Sequence, residues 1–201
     1  MKQSLVTLDM EGVLTPEIWI AVAKETGIEA LMRTTRDEPD YDVLMRYRLD
    51  ILEREGITLS QIQKVIGSLG PMEGALEFLD ELRTLTQVVI LSDTFEQFAA
   101  PFMRDLRYPT LLCHRLIVEN DRITDYQMRI ADPKRKAVAA FKSLNYRVIA
   151  AGDSYNDTTM LIEADTGFLI HSPENVKREF PQFKPAESLP ELLEFIKGEL
   201  A

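Results

Sequence analysis

Ser4-Leu5-Val6-Thr7-Leu8-Asp9-Met10-Glu11-Gly12 sets a short apolar run directly against two acids and a glycine. Two later segments have the same shape: Val88-Val89-Ile90-Leu91 runs into Ser92-Asp93, and Val148-Ile149-Ala150-Ala151 into Gly152-Asp153. Apolar, β-branched runs of this length read as buried parallel strands. Gly167-Phe168-Leu169-Ile170 is a fourth candidate, and Thr110-Leu111-Leu112-Cys113 a candidate fifth. Helical patterns lie between them, so the alternation predicts an α/β fold built on an open parallel sheet. Ligands bind outside the carboxyl ends of such strands, which brings the three acidic strand ends to one site.

The stretch from Asp9 to Ser92 far exceeds the dozen or so residues that a crossover between parallel strands needs. An insertion is therefore expected. Thr15 as N-cap and Pro16 at the first helical position open a helix that Gly27 closes. Asp40 to Gly56 brackets a second helix, and Ser60-Gln61-Ile62-Gln63 has the form of a capping box for a third. Residues 16–70 are read as a small helical cap, with residues 1–15 and 71–201 as the core and Glu73 to Leu85 returning the chain to it. Partial alternation from Arg115 to Arg129 around Asn120-Asp121 predicts a hairpin flap. No internal repeat or low-complexity segment interrupts the pattern.

The 201 residues include 33 Asp+Glu against 23 Lys+Arg, a formal charge of −10, with 45% hydrophobic residues. That length supports one domain with a proper core, or a core with a small insertion. The acid excess opposes binding to nucleic-acid phosphates or anionic lipid. No positively flanked apolar stretch opens the sequence and no run approaches the roughly 20 residues of a membrane span, so a soluble cytoplasmic protein is expected. The single cysteine, Cys113, excludes an intrachain disulfide framework, and with two histidines the usual zinc ligand sets are missing. A metal here would be hard and oxygen-ligated.

Asp9 and Glu11, two apart at a strand end, form the pair expected of a nucleophile and a general acid/base, although solvated acids in a turn would look the same. Asp153 shifts that balance, because with Asp9 it can hold one Mg²⁺. Gly152-Asp153-Ser154-Tyr155-Asn156-Asp157 turns into a helix with Asn156 or Asp157 as N-cap. Ser92 is placed to bind an anion if a helix starts near Asp93 or Thr94; the alternative is a plain helix cap. Lys134 follows Pro133 in a helix capped by Asp132, where the macrodipole disfavours a cation, so an anion between lysine and helix end would explain it. Which of Lys134, Arg135 and Lys136 points inward stays open.

These motifs, Asp9 to Thr15, Leu91-Ser92-Asp93, Lys134, and Gly152 to Asp157, resemble in order the four motifs of the haloacid dehalogenase-like phosphohydrolases. The resemblance is closer to the phosphoserine phosphatase branch, particularly to the type that also transfers phosphoryl groups to homoserine, and extends to Pro16-Glu17-Ile18-Trp19 and Asp132-Pro133-Lys134-Arg135. It implies a Rossmann-like core, Mg²⁺ and an aspartyl-phosphate on Asp9. The implied metal ligands are the Asp9 and Asp153 side chains and the Glu11 carbonyl, with Asp157 behind them, and Asn156 lies near the phosphate. Glu11 stands where the broad superfamily usually has Asp. A homodimer is expected from the same resemblance.

The stretch after Asp40 offers an independent test. Tyr41, Leu44, Met45, Arg48 and Leu52 share one helix face, which puts Arg48 inside an apolar stripe. Burying an unpaired guanidinium is expensive, so Arg48 is expected to meet an anion, with an internal salt bridge or a snorkelling side chain as the alternatives. Arg46 shares a face with Asp42, Asp50 and Glu53 and reads as solvated. Glu17 by itself is a dipole-friendly acid; by resemblance it holds a substrate ammonium and Arg48 the carboxylate. Trp19, Tyr155 and the methionines are read as packing, and neither His114 nor His171 is given a catalytic role. The expected activity is hydrolysis of phosphoserine and phosphoryl transfer from it to homoserine, with a phosphatase of another small phosphomonoester as the alternative and a dehalogenase or a receiver-like phospho-acceptor less favoured.

Overall fold

The computed structural model describes residues 2–34, 37–38 and 40–201. Strand β1 (Ser4–Leu8) lies at the sheet centre between β2 (Gln87–Phe95) and β5 (Arg147–Gly152), parallel to both. Beyond β2 come β3 (Thr110–Glu119), parallel, and the edge strand β4 (Arg122–Gln127), antiparallel to β3; beyond β5 come β6 (Thr166–Ile170) and β7 (Lys184–Ala186), both parallel. The order is β4-β3-β2-β1-β5-β6-β7. Every expected strand is present in this sheet.

Side chains alternate between two apolar clusters, as a two-residue period requires. Val6, Leu8, Ile90, Ile149 and Ala151 enter one, whereas Leu5, Val89, Leu91, Val148 and Ala150 enter the other. Helix α6 (Pro133–Ser143) and α7 (Thr158–Glu163) cover the second face. The first face receives α4 (Ala75–Leu85), α5 (Glu96–Asp105) and α9 (Leu189–Leu200), while α8 (Glu174–Glu179) precedes β7.

Between β1 and α4 the chain forms α1 (Ile18–Thr26), α2 (Tyr41–Glu55) and α3 (Leu59–Leu69). Asp40 caps α2 by accepting the Asp42 and Val43 amides, and Gly56 ends it in the left-handed region. Ile18, Val22, Met45, Leu52, Ile62 and Ile66 of these helices join Phe95, Phe98 and the sheet residues Val6 and Leu8 in one continuous cluster. The inserted helices thus share a core with the sheet face beneath them.

Several boundaries differ from the sequence reading. Helix α1 begins at Ile18, with Glu17 in the cap position, because Thr15 is used in a turn: its N–H and hydroxyl both bond the Met10 carbonyl. The capping box is Thr58 with Gln61 rather than Ser60 with Gln63; Ser60 instead bonds Asp121 at the hairpin tip. Strand β2 runs through Phe95, which pairs with His114, so Ser92-Asp93-Thr94 is extended and α5 starts only at Glu96. Asp132 occupies the cap position of α6 at positive φ, but its side chain pairs with Arg135 instead of capping. Asp157 occupies the cap position of α7, as expected, but its side chain makes no cap bond to that helix; it is held instead in a capping box with Ser154 around the short turn Tyr155–Asp157.

The hairpin of β3 and β4 turns at Asn120 and Asp121, both at positive φ, as a two-residue primed turn requires. It is fastened to the inserted helices. The Asp121 carbonyl accepts the Leu59 amide at 2.8 Å, Arg46 pairs with Asp125 at 3.1 Å, and the Tyr126 hydroxyl donates to Asp42.

Candidate active site

The carboxyl end of β1 delivers Asp9 into a buried position where Oδ1 accepts the Met10 amide at 2.8 Å and lies 2.9 Å from Lys134 Nζ. Lys134 reaches this point because Pro133 starts α6 and turns the next side chain inward. Its ammonium also lies 2.7 Å from Asp157 Oδ1 and 3.4 Å from Asp93 Oδ2. Arg135, by contrast, turns to Asp132 and Glu163. Burial would depress the Lys134 ammonium, yet Asp157, Asp9 and Asp93 hold it well above its ordinary value. It stays charged.

The loop after β5 adds Asp153 and Asp157. Asp157 Oδ2 accepts the Asp153 and Ser154 amides at 2.9 and 3.1 Å, which fixes the loop around its carboxylate. Two glycines make room for these acids. A Cβ on Gly12, itself at φ +77°, would sit 2.6 Å from Asp153 Oδ2, and one on Gly152 would sit 2.4 Å from Asp157 Cγ. Carboxylate oxygens of Asp9, Asp153 and Asp157 lie within 4.8 Å of one another.

Burial, then Asp157, raises both the Asp9 carboxyl, despite its ion pair with Lys134, and the Asp153 carboxyl, the latter to about 7. Three acids facing one ammonium leave uncompensated negative charge, and the donors are all oxygen. Such a set fits a hard divalent cation.

Glu11, past the end of β1, is half-buried beside the inserted helices. Its Oε2 accepts the Ile18 amide at 2.9 Å, which caps α1 in place of Glu17. Burial first, and Glu17 second, lift the Glu11 carboxyl to about 7, against the Ile18 hydrogen bond and Arg48. The group is therefore poised to give and take a proton near neutrality.

Arg48 is buried as its place in the apolar stripe of α2 predicted. Its Nη2 donates to the Arg33 carbonyl at 2.8 Å and the guanidinium lies over Trp19, 4.6 Å from the ring centroid. Nε has no hydrogen-bond partner among the described residues. Burial lowers its pKa to about 10, against Tyr41, Glu11 and Glu17, so it remains a cation. Arg46 is solvated and paired with Asp42 and Asp125, as expected.

A cavity of about 150 Å³ joins these groups. Asp9, Glu11, Glu17, Arg48, Ser92, Asp93, Lys134, Asp153 and Asn156 all line it; Asp157 lies behind, bonded to Lys134. It is smaller than the roughly 300–1,000 Å³ that holds a drug-sized ligand, so a small polar molecule fits it. The Ser92 hydroxyl accepts the Thr94 amide at 3.2 Å from an extended strand, without a helix N-terminus behind it. Asn156 Nδ2 donates to Asp93 at 3.1 Å.

The sequence reading missed some contributors. Tyr41, taken as part of an apolar stripe, sends its hydroxyl to the Asp93 carbonyl at 2.9 Å and lines the cavity. Trp19 packs edge-on against Phe98, as read, but also supports Arg48. His114 has a carboxylate neighbour after all: its Nε2 lies 3.6 Å from Asp93 Oδ1, a juxtaposition that only the pairing of β2 with β3 creates.

Residues 7–161 match the family model of haloacid dehalogenase-like hydrolases. Over 193 residues, 95% of this chain, the sequence is 64% identical to the phosphoserine phosphatase of Pseudomonas syringae pv. tomato, covering 81% of that protein. It is 63% identical, over the same share of this chain and 94% of the relative, to the phosphoserine phosphatase ThrH of Pseudomonas aeruginosa. A crystal structure of phosphoserine phosphatase from T. onnurineus superposes with a TM-score of 0.72 at 26% identity, covering 98% of this chain and 95% of that one.

Proposed function

This chain belongs to the haloacid dehalogenase-like hydrolases, and from that premise we propose that it is a Mg²⁺-dependent phosphoserine phosphatase that also passes the phosphoryl group to homoserine. The observation that carries the substrate is Arg48, a buried cation with an unpartnered Nε, lining the same small cavity as Asp9, Glu11 and Glu17. Phosphoserine has one group for each. Arg48 takes its carboxylate, Glu17 its ammonium, and Lys134 with Ser92 and Asn156 its phosphate.

Asp9 attacks phosphorus in line and forms an aspartyl-phosphate, while Lys134 neutralises charge on the equatorial oxygens. Glu11, protonated over a useful fraction of molecules near pH 7, gives its proton to the departing serine oxygen. It then removes a proton from the acceptor that attacks the aspartyl-phosphate. The Asp9 and Asp153 carboxylates and the Glu11 carbonyl would hold Mg²⁺, with Asp157 orienting the loop behind them. When bound, the ion supplies charge neutralisation for phosphate beside a carboxylate nucleophile.

Homoserine differs from serine by one methylene and carries the same ammonium and carboxylate, so the grip of Glu17 and Arg48 suits donor and acceptor alike. Support for the phosphatase comes from two relatives above 60% identity that carry that name; support for the transfer is the likeness to the homoserine-using type and this shared grip. The test is incubation of the protein with phosphoserine and Mg²⁺, with and without homoserine, following free phosphate and phosphohomoserine together. Both products are expected. Phosphate alone would remove the transferase half, and turnover of aryl phosphates without phosphoserine would replace the substrate.

A further inference from the structure

The reading of the cavity as a phosphate site leaves the buried His114 without an assignment. His114 lies on β3, 1% exposed, boxed by the rings of Phe95 and Tyr41, each with its centroid 6.3 Å away. Its Nδ1 accepts the Arg129 amide at 3.1 Å. A nitrogen that accepts an N–H bond carries no proton, so the ring proton sits on Nε2. That proton is aimed at Asp93 Oδ1, 3.6 Å away, just outside hydrogen-bond range, and Nε2 has no other partner among the described residues.

Asp93 is the hub that makes this contact matter. Its Oδ2 receives Asn156 at 3.1 Å and lies 3.4 Å from Lys134, two of the groups assigned to phosphate. We propose that His114 is a positioning residue for phosphoryl transfer: its Nε2–H holds Asp93 from behind, and Asp93 in turn sets Lys134 and Asn156 at the phosphate. At 3.6 Å the hold is a charge–dipole contact, and a small shift of the Asp93 carboxylate toward His114 makes it a hydrogen bond. Burial would raise the Asp93 carboxyl, but Lys134, His114 and Asn156 outweigh it and keep it well below the usual carboxylate range. It is an acceptor throughout.

The inference rests on the phosphate reading but not on phosphoserine as the substrate, and the experiment separates the two by using p-nitrophenyl phosphate beside phosphoserine. His114→Gln places an amide N–H where Nε2 stood; His114→Asn places an acceptor where Nδ1 stood and gives Asp93 nothing. In Mg²⁺ buffer, His114→Asn is expected to lose 10- to 100-fold in kcat on both substrates and about 10-fold in affinity for inorganic phosphate, while His114→Gln recovers most of each. A wild-type protein that turns over only the aryl phosphate would reject phosphoserine and still read His114. The ¹⁵N spectrum of the two imidazoles, assigned with a His171→Gln protein, is expected to show the Nε2–H tautomer for His114. An Nδ1–H tautomer, or equal kcat for the Asn and Gln variants, would overturn the proposal; so would a loss confined to thermal stability.

Discussion

The Glu11 carboxylate bonds the Ile18 amide, and so the group read as acid and base also anchors the first turn of the first inserted helix. An aspartate, shorter by one methylene, would have to choose between that amide and the substrate oxygen. Glu11→Gln keeps an oxygen for Ile18 but cannot shuttle a proton. It is expected to melt within a few degrees of the parent and to lose about 10²- to 10⁴-fold in kcat. Glu11→Asp is expected to lose both activity and stability. Circular-dichroism melts beside steady-state rates check the pair, and a Gln variant with near-parent turnover would remove Glu11 from proton transfer.

Substitution of Arg48 separates substrate recognition from chemistry. Arg48→Met retains the apolar stripe of α2 but loses a charge-assisted contact to a carboxylate, worth about 1.5–3 kcal/mol. Phosphoserine kcat/KM is expected to fall by about 10- to 100-fold while an aryl phosphate changes little. Equal losses on both would show that Arg48 serves the fold rather than the substrate.

Burial and neighbouring acids raise the Asp153 and Glu11 carboxyls to about 7. Because these folded-state values exceed the ordinary 3.8 and 4.5, their contribution to stability is fully present below the unfolded values and fades as pH rises through about 7. A cation that binds the deprotonated Asp153 carboxylate gains over the same window. The rise in melting temperature on adding Mg²⁺ is therefore expected to be larger at about pH 8 than at about pH 5, and to vanish in Asp153→Asn. Equal shifts at both pH values would contradict the assignment of Asp153 to the ion.

Gly152 tests the packing of the acidic loop. Alanine there would place its Cβ 2.4 Å from Asp157 Cγ, so Asp157 must give way and loosen its hold on Lys134 and on the Asp153 amide. A destabilisation of about 1–3 kcal/mol is expected, with kcat reduced at least tenfold. Denaturant melts and rates check it; a fully active Gly152→Ala protein would show that Asp157 is dispensable.

How far the sequence discloses this molecule follows from what each signal depends on. The strands and their acidic ends were legible because burial on both faces writes continuous apolar runs into the chain, and Arg48 because a cation in an apolar helix stripe contradicts its surroundings. Arg48's partners, Trp19 and the Arg33 carbonyl, were not legible, since they meet it only in three dimensions. The extension of β2 through Phe95 was hidden by Ser92-Asp93-Thr94, which are good helix-capping residues locally and are overruled by pairing with β3. His114 went unassigned for the same reason: no spacing rule connects it to Asp93 until the register of the two strands is known.

The apolar cluster shared by the inserted helices and the sheet face sets how ligands come and go. A lid with its own core could swing on two linkers like a door; here lifting α1 and α3 would strip Val22, Ile62 and Ile66 from Phe98 and its neighbours, at roughly 25 cal/mol for each Å² wetted. Exchange by a short slide, with the interface left dry, avoids that penalty. The amides of Val22 and Ile62 should then exchange with deuterium about as slowly as those of β1, and a quickly exchanging cap would restore the door.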